Sequence, residues 1–153
     1  MNGNDHGHPR STAQIAGHPI HPMLVQFPIV CFILAFVCDV LFTQGQGGLA
    51  SASKWLLLIG LVMAALAAVA GLTDFLGDKR VQGSDAIKHA VANVTAVVLE
   101  LVNLLLRRGN DDFIGTTGVY ISGVVVLILL YSGWMGGKLV YRHGIGVSDG
   151  TDI

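Results

Sequence analysis

Apolar residues form four long runs along the chain, separated by short polar segments. The runs cover residues 23–43, 55–76, 87–106 and 117–141. Each run has about the 20 apolar residues that an α-helix needs to cross the hydrocarbon core of a bilayer. Short connections place consecutive helices side by side in opposite directions. The pattern therefore predicts an all-α fold, an integral membrane four-helix antiparallel bundle.

The two ends of the chain are polar and frame these runs. We expect a disordered polar N-terminal tail over residues 1–16, a four-span transmembrane domain over 17–147 and a polar C-terminal tail over 148–153.

Several single residues predict local features of the helices. Pro28 lies inside the first run and cannot donate a hydrogen bond to the carbonyl of Leu24, so we expect a kink there. Ser84 is predicted to cap the third helix, with Asp85 in its first turn. Gly133 and Gly137 are predicted to form a small-xxx-small contact with another helix.

Composition narrows the class of protein. The 153 residues are 52% hydrophobic and only 12% charged, about half the charge of a soluble domain. The formal net charge is −1 and no basic block is present, which argues against nucleic-acid binding. The sequence has no phosphate-binding loop, no paired-cysteine motif, no zinc-protease motif and no nucleophile elbow, and so assigns no catalytic residue. The partner that composition supports is the lipid bilayer; assembly into a homo-oligomer stays open.

The segment His18-Pro19-Ile20-His21-Pro22 stands directly before the first apolar run. Residues before proline are disfavoured in helical backbone, so we expect both histidines in extended backbone with their rings on one side. Pro22 would then be the first helical residue.

Helix alternation brings distant histidines to one membrane face. The face at which the first helix begins, called face one, also receives the end of the second helix, the start of the third and the end of the fourth. Face one therefore collects His18, His21, Asp74, His89 and His143. Neutral imidazole binds haem iron and transition metals.

This cluster has several interpretations. As a haem b or other cofactor site it would use His21, His89 and His143. As a transition-metal site it would use His18, His21, His89, His143 and Asp74. Proton or quinone handling is a third interpretation, and a polar cluster that only fixes the helix ends is a fourth.

Cations set the expected orientation. Face one holds Arg10, Lys79, Arg80, Lys88, Lys138 and Arg142, whereas face two holds Lys54, Arg107 and Arg108. Positively charged loops favour the cytoplasm, so we expect face one and both termini to be cytoplasmic.

Four polar residues are predicted to be buried within the spans: Asp39, Asn93, Glu100 and Asn103. Together with His89, the last three follow one face of the third helix, which predicts that this face points into the bundle. Asp39 and Glu100 lie deep, towards face two. A functional role and a structural one are both open, the latter through snorkelling of Asp39 to face two, or through protonation of Glu100 or its bonding to a neighbouring helix.

The opening of the first span resembles a known family. The stretch Gly17-His18-Pro19-Ile20-His21-Pro22-Met23-Leu24-Val25-Gln26-Phe27-Pro28-Ile29, followed by Asp39, is similar to the start of the bacterial integral membrane proteins called DUF2231, a domain of unknown function. The segment from His89 to Asn93 and residues 136–147 resemble later blocks of that family.

The resemblance implies a four-helix integral membrane domain in the bacterial inner membrane. It assigns no catalytic residue. Some relatives are joined to Rieske-type iron–sulfur domains, which favours redox work, here with a separate electron-transfer partner.

The predicted function is that of a multi-pass membrane protein with a histidine-rich interfacial site, as a haem- or quinone-linked redox module. The alternatives are a non-enzymatic metal-binding or transport protein and a structural membrane subunit.

Overall fold

Four long helices make up nearly all of the structure. The computed structural model describes residues 13–16, 18–77 and 83–143, without the side chain of His143. The helices are α1 (Ile20–Thr43), α2 (Leu49–Gly77), α3 (Ser84–Leu106) and α4 (Val119–His143), and a π-helical turn, Ile114–Gly118, leads into α4. All four spans are long and apolar enough to cross a membrane. The predicted four-helix membrane fold is confirmed.

A small hairpin precedes α1. Its strands are β1 (Gln14–Ile15) and β2 (His18–Pro19), paired antiparallel with Ile15 opposite His18. Strand β1 lies within the stretch that we expected to be a disordered tail; residues 1–12 and 148–153 lie outside the described residues.

The start of α1 differs from the prediction at His21. His18 is extended as expected, but α1 already begins at Ile20, so His21 is helical and Pro22 is the third helical residue. Proline is tolerated there because the first four N–H groups of a helix have no partner within the helix. The two histidines therefore do not share one extended segment.

The middle of the bundle is an apolar layer to which every helix contributes. Helix α1 packs mainly against α2, and α3 mainly against α4. The buried core contains Phe32, Ala35, Leu57, Ala64, Ala96, Val125 and Leu129. Large apolar side chains such as Leu127 and Val69 cover the outer surface, 67% and 65% exposed, as expected for a surface that faces lipid.

Glycines allow close contacts, though not the ones that the sequence predicts. A Cβ atom on Gly60 would lie 2.6 Å from the Phe32 ring, so glycine at this position lets α2 approach α1. Gly133 and Gly137 have open space where a Cβ would point, and their predicted contact with another helix is wrong. Gly136 lies against His89 instead.

The start of α3 is also simpler than predicted. Gly83 occupies the cap position and no side chain caps the helix, because Ser84 is already its first residue. Asp85 lies in the first turn, as predicted.

Candidate functional site

Two polar clusters lie inside the bundle, one on each side of the apolar layer. The histidine cluster consists of His21, His89, Asn93 and Ser132. The ion-pair cluster consists of Asp39, Ser53, Glu100, Asn103, Arg107 and Ser122. Ala96 lies between Asn93 and Glu100 on α3 and belongs to the apolar core. The two clusters are therefore separate sites.

His21 is fixed against α2. Its Nδ1 lies 2.8 Å from the carbonyl oxygen of Ala67, and since a carbonyl only accepts, Nδ1 carries the proton and donates. A Cβ on Gly71 would lie 2.8 Å from the same nitrogen, so glycine provides the space for the ring. The second nitrogen, Nε2, receives no hydrogen bond from any residue that the structure describes.

Both ring nitrogens of His89 form hydrogen bonds, to Ser132 and to Asn93. Nδ1 donates to the carbonyl oxygen and the hydroxyl of Ser132, both at 3.0 Å. Nε2 accepts from the amide of Asn93 at 3.0 Å, and the Ser132 hydroxyl donates to the other amide atom, Oδ1, at 2.9 Å. This closed set of bonds suits a neutral imidazole with its proton on Nδ1. Gly136 leaves room for the ring.

The structure brings together only part of the predicted histidine site. His21 and His89 are close enough to interact electrostatically. His18 is exposed and bonds to the carbonyl of Ala16, while Asp74 accepts from the backbone N–H of Ala13. The side chain of His143 is outside the described part of the chain. Within that part, no three histidine, cysteine or acidic side chains converge as they would around a metal ion.

The ion-pair cluster is centred on Arg107, which is fully buried. Its two terminal nitrogens bind the two oxygens of Asp39, Nη1 to Oδ1 at 2.8 Å and Nη2 to Oδ2 at 2.6 Å. The remaining N–H groups donate to Ser53, Ser122 and Asn103. All five guanidinium N–H groups therefore have an acceptor.

Asp39 is equally well satisfied. Besides Arg107, it accepts from the hydroxyls of Ser53 at 2.6 Å and of Ser122 at 2.8 Å. The carboxylate is 0% exposed, so the predicted alternative of snorkelling to face two is wrong. A bidentate pair with five further hydrogen bonds to Ser53, Ser122 and Asn103 offsets the cost of burying both charges.

The sequence analysis counted Arg107 only among the cations of face two and did not predict that it pairs with Asp39. The signal was present, since Arg107 follows Asn103 by four residues and Glu100 by seven, and so continues the polar face of α3. A deep Asp39 also requires a cation. Among the residues that the structure describes, burial of Arg107 leaves Lys54 and Arg108 as the cations outside the bundle core at face two.

Glu100 completes the ion-pair cluster with one unsatisfied oxygen. Oε2 accepts from the Asn103 amide at 2.8 Å, whereas the buried Oε1 has no hydrogen-bond partner. Asn103 also reaches the carbonyl of Gly118 and the hydroxyl of Ser122.

Comparison with known proteins gives one match. A family model described as predicted membrane protein (DUF2231) matches residues 17–149. No curated protein and no solved structure matches the chain. Because the match spans most of the chain and all four helices, this protein belongs to the DUF2231 family of predicted membrane proteins.

Proposed function

We propose that the protein is a quinone-linked redox module in which the histidine cluster exchanges protons with a quinone headgroup. The observation that carries this proposal is the bond from Nδ1 of His21 to Ala67. It fixes the proton on Nδ1 and leaves Nε2 as an acceptor at one end of the bundle.

The chemistry follows from the two imidazoles. Oxidation of a quinol releases two protons and two electrons, and a neutral imidazole accepts a proton at its free nitrogen near neutral pH. His21 would accept the two protons one after the other at Nε2, releasing the first to water at face one before it takes the second. His89, whose bonds to Asn93 and Ser132 hold it neutral, would provide hydrogen bonding next to it. The electrons would pass to a separate electron-transfer partner.

The proposed setting is the bacterial inner membrane with both termini in the cytoplasm. A lipid-soluble quinone would reach the end of the bundle from the bilayer. Because Arg107 is buried and paired with Asp39, it does not act as a free loop cation of face two, which supports the positive-inside argument.

Tryptophan fluorescence tests quinone binding. Trp134 is exposed on α4, two residues after Ser132, so a quinone at the histidine cluster should quench its emission. We would titrate decylubiquinone into the full chain in lipid nanodiscs. The wild type should show saturable quenching. In His21→Gln the dissociation constant for the quinone should rise about tenfold, which corresponds to the loss of one hydrogen bond to a reacting group.

The matched control is His18→Gln. Because His18 is exposed, this variant should bind the quinone as the wild type does. Trp134→Phe identifies the reporting tryptophan. Quenching that does not saturate, or that is the same in His21→Gln and the wild type, would contradict the proposal.

A haem or metal site is the second candidate. An Nδ1–H donor to a backbone carbonyl is the usual orientation of a metal-binding histidine, and His21 has it. His89 would have to release Asn93 to present Nε2. Absence of a Soret band after haem supplementation would exclude haem. Equal metal content in the wild type and the His18→Ala/His21→Ala double variant would exclude the predicted metal site.

A further inference from the structure

Glu100 is a buried carboxyl group without a counter-ion of its own. It is 0% exposed and is the member of the ion-pair cluster that follows Ala96 of the apolar layer by one turn of α3. Counted from the first residue of α3, it is about 24 Å along the helix axis. Ionisable groups at such depth are rare in membrane proteins, and most are paired or functional.

The nearby charges already neutralise each other. Arg107 binds both oxygens of Asp39, and every other N–H of its guanidinium is used by Ser53, Ser122 or Asn103. No guanidinium N–H is left for Glu100.

The other elements around Glu100 bring no further charge. The charged groups that act on Glu100 are Asp39 of α1 and Arg107, the residue that directly follows α3. Within the described residues, α2 and α4 contribute only the neutral hydroxyls of Ser53 and Ser122 to this cluster.

The hydrogen bonds of Glu100 satisfy only one of its two carboxyl oxygens. Oε2 is occupied by the Asn103 amide, and Oε1 has no partner although it is buried. An ionised carboxylate in this setting would have an unsatisfied, desolvated oxygen in an environment of low dielectric, which is strongly unfavourable. A proton on Oε1 removes the buried negative charge, which is the larger part of that cost, and leaves the bond at Oε2 in place.

We propose that Glu100 is an exchangeable proton-binding site inside the membrane domain. A proton from water forms the O–H bond at Oε1, and the same bond breaks when the proton returns to water. We assign this exchange to the face-two side, where the polar residues of the cluster lie, since Ala96, Val125 and Leu129 form the apolar layer on the other side. This site does not depend on the proposed quinone chemistry of the histidine cluster.

The sequence makes a direct test possible, since Glu100 is the only glutamate in the chain. Cell-free synthesis with glutamate carrying ¹³C at the side-chain carboxyl labels this one group in the wild-type protein. Isotope-edited infrared spectroscopy in nanodiscs at neutral pH should show a carboxylic-acid band rather than a carboxylate band. Transfer to D₂O should shift that band as O–H becomes O–D.

Each outcome decides the proposal. A carboxylate band at neutral pH would overturn it, and so would an acid band that does not shift in D₂O. Glu100→Gln is the matched variant, because its amide oxygen keeps the bond from Asn103. In unlabelled protein it should remove one acid band, whereas Asp111→Asn, at an exposed position, should remove none. The labelled wild type gives the answer even if the variant does not fold.

Discussion

Arg107 and Asp39 form a bidentate ion pair across the bundle although 68 residues separate them in the chain. The pair joins the end of α3 to the end of α1, and Ser53 and Ser122 extend it to α2 and α4. One group of hydrogen bonds therefore fixes all four helices at the same end.

Breaking this pair should destabilise the protein strongly. Asp39→Asn leaves the buried guanidinium of Arg107 without a counter-charge, and we expect a loss of about 3–5 kcal/mol in the free energy of unfolding. Denaturant unfolding in detergent measures it. The control is Asp111→Asn, which breaks the exposed ion pair with Lys54 and should cost about 1 kcal/mol or less. Equal losses of unfolding free energy in the two variants would show that the buried pair does not stabilise the fold more than the exposed one.

Gly118 should be essential for the position of Arg107. A Cβ at Gly118 would lie 2.9 Å from Nη2 of Arg107 and 3.1 Å from the carbonyl oxygen of Phe113. We expect Gly118→Ala to lower stability by about 1–3 kcal/mol through overpacking. Gly115→Ala, in the same π-helical turn, would meet Phe42 at an ordinary 3.5 Å and should change little. Thermal unfolding of both variants measures the difference in stability. A similar melting temperature for the two would argue against the predicted overpacking at Gly118.

Gly71 should be needed for the position of the His21 ring, as Gly118 is for Arg107. Gly71→Ala places a methyl group against the His21 ring and should displace it, with a loss of about 1–3 kcal/mol. Saturable quinone quenching should weaken in parallel. Gly133→Ala on α4 meets open space and serves as the control. If Gly71→Ala keeps wild-type stability and quenching, the ring is not held where the structure shows it.

Ser132 should stabilise the pairing of α3 with α4. Ser132→Ala removes the hydroxyl that accepts from His89 and donates to Asn93. Hydrogen bonds between membrane helices contribute about 0.6 kcal/mol on average, so we expect a loss of about 1–2 kcal/mol. Thr95→Ala is the control, since the exposed Thr95 bonds only within its own helix, to the Val91 carbonyl. A larger loss in Thr95→Ala than in Ser132→Ala would refute this account of the α3–α4 contact.

The spans and the polar face of α3 could be predicted from the sequence because both depend on periodicity. A bilayer requires about 20 apolar residues for each helix, and residues three or four apart share one helix face whatever surrounds them. Helix alternation alone also brought His21 and His89 to the same end of the bundle. The hydropathy pattern did not include Arg107 in a span, because it lies at a helix end beside Arg108.

The sequence by itself determined the number of helices, their direction and the residues of α3 that face inward. Only the tertiary structure decided which partners those residues have. Periodicity places residues on a helix, but the rotation and approach of each helix depend on packing against its neighbours. That packing turned Arg107 inward to Asp39, brought Gly136 rather than Gly133 against α3, and left Oε1 of Glu100 without a hydrogen bond.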